Sequence, residues 1–456
     1  MKSPASQLFR QAQGSLAACM LMLCSSASPQ VLPDKSPDKS LGVVSCASSL
    51  CHGSIASWNG SPIAQNEYVV WSRLDKHAGA YKLLLGEKSR KIAANLALPQ
   101  PAHQSRVCLD CHSHNPVAAA APTHSVADGV GCEACHGAAS RWIASHTEPG
   151  ATHRANLANG LYPSDQPLAR ARLCLSCHFG TADKYVTHRM MAAGHPRMSF
   201  ELGTFTSLQP AHFKADADYV RRKGVVEGAG VWAVGQALAV SSQLDMLLDP
   251  KRRRDGAFPE LTLFDCHACH HPMADARWKP RNTFGKSIGP GLVRLNGSSM
   301  QMLSLILRLT DPALGERFIQ AAGQLNQAVA GSGDVTQRAL ALKALADEAA
   351  RKIAGSGLTD DQLRAMALAL VDEGLAGAYA DYAAAEQAVM ALGNVVNVLH
   401  RTGRLNATLA LNKGLAALRA SLLHDEAYKP AEFQARLREF RPLVAAPPGA
   451  RPRGAS

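Results

Sequence analysis

Ten of the chain's twelve cysteines stand in five short groups, each closed by a histidine. The groups read Cys46-Ala-Ser-Ser-Leu-Cys51-His52, Cys108-Leu-Asp-Cys111-His112, Cys132-Glu-Ala-Cys135-His136, Cys174-Leu-Ser-Cys177-His178 and Cys266-His-Ala-Cys269-His270. Two thiols about one helical turn apart can form thioethers with the two vinyl groups of a porphyrin. The next histidine then lies under the ring, where its imidazole can ligate the iron. Four groups have the two-residue spacer of covalent haem attachment. The first has four residues, a longer loop that bulges outward and still spans the vinyl pair. A Cys-x-x-Cys pair alone would also suit half a zinc site or a redox dithiol. Neither of those needs a histidine directly after the second thiol, and here all five groups have one. The expected cofactor is therefore haem c in five covalently attached copies, with His52, His112, His136, His178 and His270 as proximal iron ligands.

The sixth position of each iron decides the chemistry. A second imidazole closes the iron and suits it to electron transfer, whereas an open position lets a small molecule bind the metal. Beyond the five proximal residues thirteen histidines remain, and eleven of them lie in the cysteine-bearing region. Only His400 and His424 fall outside it. The first-choice distal ligands are His77, His124, His146 and His195; His188, His212 and His271 compete for the fifth place. His103, His114, His153 and His267 rank behind them as surface residues or partners of haem propionates.

These residues need elements to hold them. The sequence predicts a mainly α fold in two parts: an irregular multihaem cytochrome c domain over 41–285, then an α-helical bundle over 290–442. In the first part Gly, Pro and His are scattered between short helical stretches, with a longer helix over about Val231 to Leu248. In the second, apolar residues recur at helical spacing and the punctuation is plain. Asp311-Pro312 opens one helix and Gly331 closes it. Asp334 opens the next, ending at Gly355, and Thr359 with Gln362 forms a capping box. Two longer helices follow, over about Tyr379–His400 and Leu405–Leu423. Residues 28–40, rich in Pro, Ser, Asp and Lys, read as a disordered leader, and 443–456 as a disordered tail.

Residues 1–27 have the layout of a secretory signal peptide: Lys2 and Arg10, an apolar run from Leu16 to Leu23, then small residues. Cleavage after Ala27 would remove Cys19 and Cys24, so every remaining cysteine would carry haem. A lipidated Cys19 is the competing reading, but the apolar run continues past it. The expected location is the periplasm, with no membrane-spanning segment after cleavage. The formal charge of +12 invites a nucleic-acid reading, yet five haems add about ten propionate carboxylates. No aromatic residues are interleaved with the basic ones, as single-strand binding would require. The basic run Lys251-Arg252-Arg253-Arg254 reads as a solvated turn or propionate partner before a docking site.

Three stretches resemble multihaem cytochromes of the cytochrome c-554 type: Ser45-Cys46-Ala-Ser-Ser-Leu-Cys51-His52-Gly53, Ser72-Arg-Leu-Asp-Lys-His77-Ala78 and Asp128-Gly-Val-Gly-Cys132-Glu-Ala-Cys135-His136-Gly137. Members of that family are periplasmic electron carriers, the best known serving hydroxylamine oxidation in ammonia oxidisers. The resemblance, over about 41–285, implies closely packed haems, mostly with two histidine ligands, and allows one without a sixth ligand. The chain departs from the tetrahaem pattern by its fifth motif and its helical bundle. The preferred reading is an electron-transfer protein serving other cytochromes or a membrane quinone-linked complex, with the bundle as a cap or a homodimer contact. The alternative is an oxidoreductase acting on nitrite, hydroxylamine or a sulfur compound at one five-coordinate haem. Against it, no Cys-x-x-Cys-Lys group is present.

Overall fold

The structure is a computed structural model that describes residues 31–61, 63–223, 228–256, 258–270, 281–289, 291–331, 333–406 and 408–445. The signal-peptide segment, with Cys19 and Cys24, lies outside the described residues, and so does His271. The fold is mainly α, with eighteen helices among the described residues. The two strand pairs are short antiparallel ribbons, Arg254–Asp255 with Phe258–Pro259 and Arg281–Thr283 with Lys286–Ile288.

Residues up to about 225 form short helices and 3-10 turns. Three of the helices end on motif histidines: Arg106–His112, Cys132–His136 and Pro167–His178. The separate apolar core of this half is a small cluster of Leu84, Ala93, Ala102 and Leu109, while Ala171, Leu175, Tyr185 and Leu202 join the large cluster of the second half. Large apolar side chains such as Leu50, Ile55 and Leu83 stay exposed to solvent. A chain segment of this size cannot offset its ordering entropy with so little burial.

The second half is conventional. Its helices are α1 (Gly228–Leu248), α2 (Ser298–Thr310), α3 (Pro312–Val329), α4 (Val335–Ser356), α5 (Asp360–Leu375), α6 (Tyr382–Arg401), α7 (Leu409–Ala420) and α8 (Pro430–Ala445). The start signals act as their chemistry dictates. Asp311 accepts from Leu314 N at 3.1 Å with Pro312 at the first helical position, and Asp334 accepts from Gln337 N at 3.0 Å. Thr359 and Gln362 close a reciprocal capping box. One large buried cluster unites these helices.

Helix α1 joins the two halves. It packs against α4 and α6 of the bundle and also against the motif helix Pro167–His178. It is the one helix among the described residues long and apolar enough to cross a membrane, which corrects the expectation that no later segment has that length and composition. It is largely apolar because most of it is buried, from Val231 through Leu247, with Asp245 left exposed.

The expected disordered leader is also corrected for its described part. Val117 N donates to the Asp34 carbonyl and Ala121 N to that of Ser40, both at 2.8 Å. Lys184 reaches the Asp34 carboxylate at 3.0 Å. These contacts lay residues 33–40 along the motif region, and Ser40 is fully buried.

Candidate haem sites

Each motif histidine faces a second histidine. The ring centroids are 6.3 Å apart for His52 and His146, 6.5 Å for His112 and His195, and 6.1 Å for His136 and His212. They are 5.9 Å apart for His178 and His77, and 6.3 Å for His270 and His188. We number these pairs as sites I to V in the order of their motifs. An imidazole nitrogen binds a first-row metal at roughly 2.0–2.1 Å, so two rings on opposite sides of one ion have centroids about 6.3 Å apart. All five spacings fit one iron between the rings. Among the described residues no group of three or more His, Cys, Asp or Glu could hold a metal unaided. Two-ligand sites suit an iron whose other four ligands come from a porphyrin.

The ring hydrogen bonds say which nitrogen is left for the metal. Nδ1 of His52 pairs with Glu67 Oε2 at 3.0 Å, and Nδ1 of His77 with Asp75 Oδ1 at 2.9 Å. Nδ1 of His112, His146 and His195 pairs with the carbonyls of Ala80, Ile143 and Pro196 at 3.1, 2.5 and 2.8 Å. A ligating imidazole gives its second N–H to such an acceptor, which fixes tautomer and orientation and leaves Nε2 for the iron. Burial pulls His136 and His178 down to about 4, which keeps them in the neutral form that binds metal. Burial pushes Asp75 up, but hydrogen bonds from the His77 ring and backbone and from Gln209 outweigh it and hold the carboxyl at about 2.

Two other histidines are committed elsewhere. His153 gives Nε2 to Asp165 at 3.0 Å, and His114 gives Nε2 to Ser40 Oγ at 2.9 Å. His124, expected as a distal ligand because it stands just before motif III, packs edge-on against His114, at 5.5 Å, and faces no motif histidine. That expectation is corrected. The chain between Thr123 and Cys132 runs back along Gly42 and Val43, so nearness in sequence does not bring His124 over an iron. His212, expected to compete with His188 and His271 for the fifth place, is the histidine that faces His136 of motif III. His77, His146, His195 and His188 stand opposite motif histidines.

Local geometry explains several sequence details. Glu133, between the cysteines of motif III, is buried and accepts three backbone amides: Leu41 N at 2.9 Å, Gly42 N at 2.7 Å and Ala139 N at 2.7 Å. It fastens the amino-terminal strand to the motif, a role sequence reasoning missed although a carboxylate inside a haem motif was its signal. Gly129 has φ +72°, and a Cβ there would stand 2.7 Å from the His77 carbonyl. This close approach lets Val130 N donate to His77 O at 3.1 Å.

The motifs interlock. Cys46 of site I is within hydrogen-bonding reach of Cys132 of site III, and Cys111 of site II of Cys177 of site IV. Cys135 of site III lies in the electrostatic reach of Cys174 and Cys177 of site IV. Thus I, III, IV and II follow one another in space. Site V opens on a cleft lined by Phe179, Met191, Arg197, Cys266, His267 and Ala383. Phe179 follows His178 directly, so V adjoins IV.

A buried arginine, Arg294, and a half-buried one, Arg197, tie the sites to the bundle. Arg294 bridges Asp265, the neighbour of Cys266, and Asp381, the residue preceding α6. Arg197, two residues after His195, pairs with Glu386 of α6 at 2.9 Å and lies over the Tyr382 ring at 5.1 Å. In the basic run Arg252 donates to the carbonyls of Ala182 and Asp183 at 2.5 and 2.6 Å, so it braces a loop, while Lys251 and Arg254 are exposed.

Cysteine pairs on helical turns, facing imidazoles and a half-chain with little core of its own define a multihaem c-type cytochrome. Residues 45–137 match the family model described as cytochrome c554 and c-prime, so this segment is similar to that family. The chain thus carries covalently bound haem c and works in redox chemistry. Neither comparison, with curated proteins or with solved structures, yields a match.

Proposed function

We propose that the protein is an exported pentahaem cytochrome that passes electrons between redox partner proteins, with each of its five irons closed by two histidines. Haem iron supplies a one-electron couple between its ferric and ferrous states. The chain's residues do the rest. His146, His195, His212, His77 and His188 stand where they close the sixth positions of sites I to V. The acceptors at Nδ1 hold the rings that carry them in place, and the interlocked cysteines keep neighbouring sites in contact. The partners in this reading are other cytochromes or a membrane quinone-linked complex, met in the periplasm.

The observation that carries the reading is the set of five histidine pairs, one for each motif, at 5.9 to 6.5 Å. The enzymatic alternative needs an iron with no facing imidazole, and no motif supplies one. A pyridine haemochrome assay is expected to return five haems per chain. Magnetic spectroscopy of the oxidised protein is expected to find every iron low-spin, with nitrite, nitric oxide and hydroxylamine leaving the spectrum unchanged. A high-spin iron that binds and turns over one of these molecules would replace the carrier with an oxidoreductase.

A further inference from the structure

The acceptors behind the axial rings are of two kinds: carboxylates stand at sites I and IV, and site II has only carbonyls. At site II both rings lean on neutral carbonyls, those of Ala80 and Pro196. At site I the His52 ring leans on the Glu67 carboxylate, and at site IV the His77 ring on that of Asp75. Both carboxylates are fixed. Glu67 opens the helix Glu67–Leu74 and takes Gln65 N on its other oxygen at 3.2 Å. Asp75 is buried, takes His77 N at 3.0 Å and receives the Gln209 amide at 3.0 Å.

A carboxylate accepting Nδ1–H pushes electron density through the ring to Nε2 and makes the imidazole a stronger donor. A stronger donor and a nearby negative charge both favour the ferric over the ferrous state. A carbonyl does this far less, since hydrogen bonds to ions are roughly twice as strong as neutral ones. We propose that Glu67 and Asp75 are potential-setting residues that hold sites I and IV below site II. Sites IV and II are in contact through Cys177 and Cys111. The two carboxylates therefore grade the wire and make its site II end the favoured resting place for an electron. This rests on the two-histidine reading above.

The ring planes make the test assignable. At site I they lie 15° apart, at sites II, III and IV 83° to 84°. Near-parallel rings split the iron's two π-symmetry d orbitals and give a rhombic low-spin resonance; perpendicular rings leave them close in energy and give a strongly anisotropic one. Redox titration monitored by electron paramagnetic resonance is done on the holoprotein and on Glu67→Gln, Asp75→Asn and, as a control for net charge, Glu87→Gln at an exposed position. Glu67→Gln is expected to make the rhombic site easier to reduce by on the order of tenfold, about 59 mV for one electron. Asp75→Asn is expected to do the same to one anisotropic site, and Glu87→Gln to move none. Glu67→Gln suffices alone if Asp75→Asn loses a haem. Low-spin sites whose potentials stay put, or shift equally in the control, would overturn the assignment of Glu67 and Asp75. High-spin iron in the unaltered protein would instead overturn the two-histidine reading itself.

Discussion

The ring nitrogen that is hydrogen-bonded differs between several facing histidines and two bystanders. His77, His146 and His195 spend Nδ1 on an acceptor and face a motif histidine, whereas His153 and His114 spend Nε2 on Asp165 and Ser40. Replacing His212 with Met is therefore expected to shift the potential of one haem and alter its resonance, while His124→Gln leaves all five unchanged; redox titration with magnetic spectroscopy checks both. Glu133 gives a second outcome at this scale. Glu133→Ala strands three buried amides, each worth about 1–3 kcal/mol, so a loss of several kcal/mol is expected in denaturant unfolding of the holoprotein. The five Cys-His groups stand out in the sequence because covalent attachment would fix their spacing. The pairing of distal histidines does not, because it depends on where loops cross: His212 reaches motif III over a long interval while adjacent His124 does not.

Among the elements, α1 carries the most consequence. Its position was readable from composition, but its double role was not, since a largely apolar helix does not say which neighbours cover it. A composition shift near residue 290 marks a change of helix style, yet α1 already lies against α4 and α6 well before it. Leu202 of the helix Leu202–Leu208 sits directly on Gly235, where an added Cβ would stand 2.8 Å from the Leu202 Cβ. Gly235→Val is expected to cost about 1–3 kcal/mol by overpacking and to loosen the segment that carries His195. Thermal unfolding, together with the resonance of site II, reads both effects. The capping signals of α3, α4 and α5 were legible because a side chain bonding its own helix end needs no knowledge of the rest of the fold.

At the scale of the molecule the two halves are held together by different means. The bundle buries a large apolar cluster, while the motif half has only a small one of its own and depends on porphyrin surface for the remainder. Chain made without haem attachment is expected to keep the helices of the bundle in circular dichroism while residues up to about 225 are cut by protease. Full protection of that segment without haem would contradict this account. Arg294 couples the halves: Arg294→Met leaves Asp265 and Asp381 without their shared cation, and breaking such a buried pair costs about 3–5 kcal/mol. Loss of site V before the others on heating, followed by its absorbance, is the expected sign.

The order in which the paired histidines occur along the chain sets a timetable for assembly. A protein exported from its amino terminus delivers His77 before His178 and His188 before His270, so sites IV and V meet their second ligand already waiting. Sites I, II and III work the other way, because His146, His195 and His212 arrive after the motif histidines they face. In the exported cytochrome proposed above, three irons would have one protein ligand each until the stretch from His146 to His212 has folded back. On that reading the protein would pass through an adolescence in which three of its metals are open to any small molecule nearby. Quick closure of that stretch guards the young protein against its own reactivity.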